Sequence, residues 1–180
     1  METFTEPRDW VVNPDYLAQR QKTLAGFQDS MIDRPIIELI QGFNRLPYCF
    51  TLQCCYGHFL HGAQNDLYNL EPLPQTGPVA RVEYRIAYIA FCIENSALGR
   101  KLFNALKGIP QADPDNIQWG TAEWFWVRQL NSYVLQVEPE RFKCEDRAIL
   151  DHQEALKIEK IRQGFFIQLK QLLQELPGGD

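Results

Sequence analysis

Residues 82–93 constrain the fold more than any other stretch of the chain. Val82, Tyr84, Ile86, Tyr88, Ala90 and Cys92 alternate with Glu83, Arg85, Ala87, Ile89, Phe91 and Ile93. A period of two marks extended chain, because successive side chains of a strand point to opposite faces. The first half alternates apolar with charged residues, and the second half is apolar on both sides. A strand with two apolar faces is expected at the centre of a sheet covered on both sides. The rest of the chain must supply that cover.

Helical spacing recurs in four places. Over 13–29, Leu17, Leu24 and Phe27 fall on one broad face, and Asn13-Pro14 matches an N-cap with proline at the first helical position. A second helix is expected from Asp33 and Pro35, with Ile36, Ile37, Ile40 and Phe43 at helical spacing and a stop before Pro47. Asn95 or Ser96 can cap a third, which buries Leu98, Leu102, Phe103 and Leu106 and ends at Gly108 and Pro110. A long C-terminal helix is expected over 141–176, with Ile158, Ile161, Phe165, Leu169, Leu172 and Leu176 as its apolar stripe. Its mixed-sign pairs, Glu154 with Lys157 and Glu159 with Lys160, read as solvated surface.

Two further strands are expected at 123–128 and 133–137, joined at Asn131-Ser132. Tyr48, Phe50, Thr51, Phe59 and Leu60 also favour extended chain, with 53–58 as a turn-like insert. Residues 62–78 form a long loop, punctuated by Gly62, Pro72, Pro74, Gly77 and Pro78, and loops of that length usually carry function or move. The chain ends at Pro177-Gly178-Gly179. The interleaving of helices and strands without strict alternation predicts a single α/β or α+β domain over 1–180. Its core is a central mixed β-sheet flanked by helices, with the long helix at the C-terminus.

A chain of 180 residues buries roughly 70% of its unfolded surface, so its core needs neither disulfide nor metal. Five cysteines, an odd number, argue against a disulfide framework. Residues 1–10 carry Glu2, Glu6, Arg8 and Asp9 and lack the pattern of a signal peptide. No apolar run approaches the ~20 residues of a membrane span. A cytoplasmic protein with reduced thiols and no membrane partner is the expectation. Eighteen Lys and Arg against 23 Asp and Glu leave a net charge of −5, which does not suggest a basic nucleic-acid domain.

No glycine-rich phosphate loop and no nucleophile elbow is present. The dense spot is 54–61, with two cysteines and two of the three histidines. Cys55, His58 and His61 are a candidate metal set, with His152 or Cys92 to be added by the fold. If 59–61 is extended, His58 and His61 point to opposite faces, and no metal is expected. Cys55 with His58 is also a candidate thiolate pair. The reading preferred here is a ligand pocket shaped by this loop, where Gly57 permits close approach of the backbone. Trp119, Trp124, Phe125 and Trp126 can pack a sheet face or stack a flat ligand, and Arg128 is a candidate anion contact beside Trp126.

Residues 27–58 resemble the wybutosine-synthesis protein 3 family of tRNA-modifying methyltransferases. The family runs from a helix through Asp-x-Ser, Ile-Asp and a second helix to an Asn and the signature Thr-Thr-Ser-Ser-Cys-Ser-Gly-Arg. Asp29-Ser30, Ile32-Asp33, the apolar positions of 36–40, and Asn44 stand here in that order. Thr51, Cys55 and Gly57 match the signature's first threonine, its cysteine and its glycine. Gln53, Cys54, Tyr56 and His58 stand where the family has three serines and an arginine. With its later strands and helices the resemblance spans about 14–175.

The resemblance implies a ligand pocket at Thr51, Gln53, Cys54, Cys55, Tyr56, Gly57 and His58, with Trp126 and Arg128 beside it. It implies S-adenosylmethionine as methyl donor and an RNA or small-molecule acceptor. Two other readings stay open. One is a non-catalytic binding or assembly protein, with Leu172, Leu173 and Leu176 pairing a homodimer. The other is a metal or thiol enzyme using Cys55, His58 and His61.

Overall fold

In a computed structural model, the structure describes residues 4–62, 64, 66–77 and 79–177. Residues 1–3, Ala63, Asn65 and Pro78 of the long loop, and residues 178–180 lie outside them. In chain order the elements are β1 (Phe4–Thr5), α1 (Tyr16–Ala25), α2 (Ile37–Arg45), β2 (Cys49–Cys55), β3 (His58–His61), β4 (Arg81–Arg85) and β5 (Ala87–Ile93). They continue with α3 (Ala97–Gly108), β6 (Ile117–Ala122), α4 (Glu123–Trp126), β7 (Ser132–Val137), β8 (Arg147–Asp151) and α5 (His152–Glu175).

The fold is α+β. Five strands form one sheet in the order β1-β6-β7-β5-β2, and three form another in the order β3-β4-β8. Every strand pairing among the described residues is antiparallel, so two antiparallel sheets stand where one mixed sheet was expected. Of the neighbouring pairs among the described residues, β3–β4 and β6–β7 are consecutive in the chain, and the others bring together strands distant in sequence.

The stretch 82–93 is two strands rather than one. β4 pairs with β3 and β8, and β5 lies between β2 and β7. The chain changes sheet at Ile86, whose N–H donates to Asp146 O at 3.4 Å. This is where the pattern shifts from half-charged to apolar on both sides, because β4 is covered on one face and β5 on two. Ala87, Ile89, Phe91 and Ile93 enter the main core, while Ala90 packs with Ala122, Phe125 and Val134 on the opposite face.

Other expectations move. The strand placed at 123–128 is the short helix α4, and the strand lies just before it in β6. Gly120 is essential there, since a Cβ would stand 2.2 Å from Thr5 O where β1 runs alongside β6. The helix placed over 141–176 begins only at His152, capped by Asp151 Oδ1 accepting from Glu154 N–H at 2.8 Å. Before it, β8 alternates, burying Ala148 and Leu150. The helix of 13–29 is confined to α1, which buries Tyr16 and leaves Leu17 65% exposed. Of the two candidate caps for α3, Ser96 is the one that accepts from Gly99 N–H, at 3.2 Å.

α5 covers the core with Ile158, Phe165 and Leu169. Leu172, Leu173 and Leu176 also pack against that core, and Leu173 fills the space above Gly42 of α2. Glu159 and Arg162 are buried, which corrects the solvated reading of the Glu159 position. No helix among the described residues is long and apolar enough to cross a membrane.

Candidate functional site

A bulge in β2 sets the site. Register against β5 runs Thr51 to Phe91, then Gln53 to Ala90 and Cys55 to Tyr88, so Leu52 is the extra residue. Facing partners in an antiparallel pair share a face. Thr51 therefore turns to the Phe91 side, where its N–H and hydroxyl both donate to Asn44 Oδ1, at 2.8 and 3.1 Å. Past the bulge, Gln53 and Cys55 turn to the opposite face with Ala90 and Tyr88. Were Leu52 paired in register with Ala90, Gln53 and Cys55 would face the core, and the bulge re-aims them. β2 continues to Cys55, so the turn-like insert expected at 53–58 shrinks to Tyr56-Gly57.

That turn is tightly held. Gly57 has φ +88°, and a Cβ there would meet Ala87 Cβ at 2.9 Å. Its carbonyl accepts from Arg162 Nη1 at 2.7 Å. The Arg162 guanidinium lies 4.3 Å from the Tyr56 ring centroid and 4.9 Å from that of Phe59. Tyr56 stacks on Phe166 at 5.0 Å. Tyr56 and Gly57 are thus support for the site, turned toward α5.

The far face of the five-stranded sheet opens into a cavity of about 640 Å³. Its floor includes Gln53, Tyr88, Val134 and Gln136, and Trp124 and Phe125 form a wall. Tyr88 Oη donates to Gln53 Oε1 at 3.1 Å. The end of the three-stranded sheet closes one side. There His58, Arg85 and Arg147 are direct cross-strand neighbours, and all three line the cavity. Like charges placed opposite one another are unfavourable. Glu83 moderates the pair, with Oε1 3.7 Å from Arg85 Nε and 3.6 Å from Arg147 Nη1.

At the inner corner, Asp33, Cys55 and His58 converge, with one donor atom from each lying within 4.8 Å of the others. His58 Nε2 is 3.3 Å from Asp33 Oδ2, and His58 Nδ1 donates to Asn69 O at 3.1 Å. Burial alone would lower the His58 pKa, but hydrogen bonds to Asp33 and Cys55 outweigh it and raise the pKa to about 10. Burial works against the Asp33 charge too, and His58 with the Tyr56 N–H brings that carboxyl below its ordinary value. The long loop lies over this corner, with the Tyr68 ring edge-on to His58 at 6.0 Å.

The positions expected to bind ligand separate. Gln53, Cys55 and His58 line the cavity. Thr51, Cys54 and Arg128 line a second one of about 650 Å³, which also reaches Gln53. Burial pushes the Cys54 thiol up to about 12. Trp126 is packed against Tyr133 in the main core. Because 123–128 is helical at its start, Trp124 and Trp126 do not share a strand face, and Arg128 lies over Trp124, 3.1 Å from its ring centroid. His61 is not part of the Asp33 cluster, as strand alternation requires. Asp33, Tyr68, Arg85, Gln136 and Arg147 escape a reading by sequence proximity. Strand register brings in Arg85, Gln136 and Arg147, and the course of the chain around β2 and β3 brings in Asp33 and Tyr68.

No family model matches the chain, and no curated protein does. A solved structure of the PH1069 protein from Pyrococcus horikoshii is similar in fold. It matches over 92% of this chain and 97% of that one, with a TM-score of 0.52 and 14% identity. At that identity the likeness establishes a shared fold and nothing about chemistry.

Proposed function

We propose that the sheet-face cavity binds S-adenosylmethionine, and that the protein is a divergent relative of the tRNA-modifying methyltransferases its sequence resembles, transferring the methyl group to a small-molecule or RNA acceptor. The observation that carries this reading is the cavity's lining. Trp124, Phe125 and Tyr88 offer aromatic surface to an adenine ring or a sulfonium cation. Gln53 and Gln136 offer amides to a base edge. Arg85 and Arg147 stand together on one side, where a carboxylate would be met. The volume of about 640 Å³ is within the range of small-molecule sites.

Methyl transfer from this donor asks little covalent help. An acceptor lone pair forms a bond to the methyl carbon as the carbon–sulfur bond breaks, and its electron pair stays on the leaving sulfide. The protein's part is to align acceptor and sulfonium and to exclude water. The net charge of −5 favours a small or locally held acceptor over an extended polynucleotide track. Isothermal calorimetry with S-adenosylmethionine and S-adenosylhomocysteine tests the reading. Saturable heat with a matching thermal shift supports it. No heat and no shift from either compound would end the methyl-transfer reading and leave a binding protein with another ligand.

A further inference from the structure

We infer that Asp33, Cys55 and His58 form a binding site for a zinc-class divalent cation, with its open coordination position facing the sheet-face cavity. Three donor atoms of different elements, a carboxylate oxygen, a thiol sulfur and an imidazole nitrogen, lie mutually within 4.8 Å. The 3.3 Å between His58 Nε2 and Asp33 Oδ2 suits two ligands about 2.0–2.2 Å from one tetrahedral ion. A mixed nitrogen, sulfur and oxygen set favours a borderline-soft metal over calcium or magnesium.

Each ligand is also braced from outside, as metal ligands usually are. His58 Nδ1 donates to Asn69 O, which leaves Nε2 to face the other two groups. Tyr56 N–H donates to Asp33 Oδ2 at 2.7 Å. Gly57 N–H donates to Cys55 Sγ at 3.4 Å. The His58 side chain is only 4% exposed, so this corner is not a chance surface cluster. Carboxylate and thiolate together balance a divalent charge, so neighbouring Arg85 meets no net added cation. Cys55 and His58 both line the cavity, which leaves the fourth position for water or for a sulfur or oxygen group of a ligand. The inference stands whether or not the cavity takes S-adenosylmethionine.

Cobalt(II) titration of the chelator-treated, reduced full-length protein is the test. One equivalent is expected to produce a thiolate-to-cobalt charge-transfer band together with tetrahedral d–d bands. Cys55→Ser removes the charge-transfer band, while Cys54→Ser and Cys144→Ser keep it. Asp33→Asn and His58→Gln weaken cobalt binding by at least about tenfold. Independently of any variant's folding, zinc protects Cys55 of the wild-type protein from iodoacetamide while exposed Cys144 still reacts. The inference is overturned if the wild-type protein gives no thiolate band, if the band survives Cys55→Ser, or if zinc leaves Cys55 alkylation unchanged.

Discussion

Arg162 of the C-terminal helix reaches across 105 positions of sequence to donate a 2.7 Å hydrogen bond to the carbonyl of Gly57. A guanidinium on α5 thereby fixes the turn that ends β2 and starts β3, and so sets the distance between Cys55 and His58. Its second partner, Glu159 Oε1, is 3.8 Å away and accepts from Leu73 N–H at 3.0 Å. One buried ion pair ties together the site turn, the long loop and the terminal helix.

Removing one partner of such a pair leaves the other charge buried alone. Arg162→Met is expected to cost roughly 3 kcal/mol in urea unfolding. A double variant, Arg162→Met with Glu159→Gln, is expected to recover part of that loss. If Arg162→Met costs less than about 0.5 kcal/mol, the bracing role assigned to it is wrong.

Gly57→Ala meets two obstacles at once. Its φ of +88° strains any side chain, and its Cβ would stand 2.9 Å from Ala87 Cβ and 3.1 Å from Ala87 N. The expected cost is roughly 2–4 kcal/mol from strain and crowding together. Gly62→Ala is the control, since Gly62 has φ +61° with open space around it and loses only the backbone term. Thermal unfolding of the two variants is expected to show the larger drop at Gly57.

Glu138 gives a pH signature. It is fully buried, and burial followed by the charges of Glu145 and Asp146 raises its pKa to about 9 from 4.5. The folded state thus holds a proton that the unfolded chain has lost between those two values. Where the native state binds more protons, stability falls as pH rises. This residue's share falls across pH 4.5 to 9, with a slope of up to about 1.4 kcal/mol per pH unit. Glu138→Gln is expected to flatten the pH profile of urea stability in that window and to be more stable than wild type at pH 8. A parallel pair of profiles would contradict this.

Cavity variants separate the donor site from its neighbour. Trp124→Ala removes an aromatic wall and is expected to weaken S-adenosylmethionine binding roughly tenfold, ~1.4 kcal/mol. Lys22→Ala, at the second cavity, is expected to leave binding unchanged. Calorimetry on both variants reads the difference directly.

The class of fold is legible in the sequence, and the reasons are local. The change in pattern within 82–93 was visible, though it marks a change of sheet rather than one long strand. The stop before Pro47 and the Ser96 cap rest on nearest-neighbour chemistry and could be read in place. The strand expected at 123–128 lies earlier, in β6, and its pairing with β1 across Gly120 joins residues more than a hundred positions apart. The bulge at Leu52 was invisible too, since one added residue leaves no mark on composition yet reverses the face of Gln53 and Cys55. In the sequence, Asp33 reads only as a helix start. Its place beside His58 depends on folding 3₁₀ and helical segments back over β2. Trp126 had the right chemistry for a ligand wall, but the helical turn of α4 sends it inward and leaves Trp124 at the cavity.

A crystal structure of the protein grown with S-adenosylhomocysteine tests the central claim most directly. Ligand density is expected in the sheet-face cavity, with the adenine or sulfide against Trp124 and Tyr88 and the carboxylate on the Arg85–Arg147 side. A cavity holding only solvent, or a ligand seated instead beside Cys54 and Lys22, would contradict it.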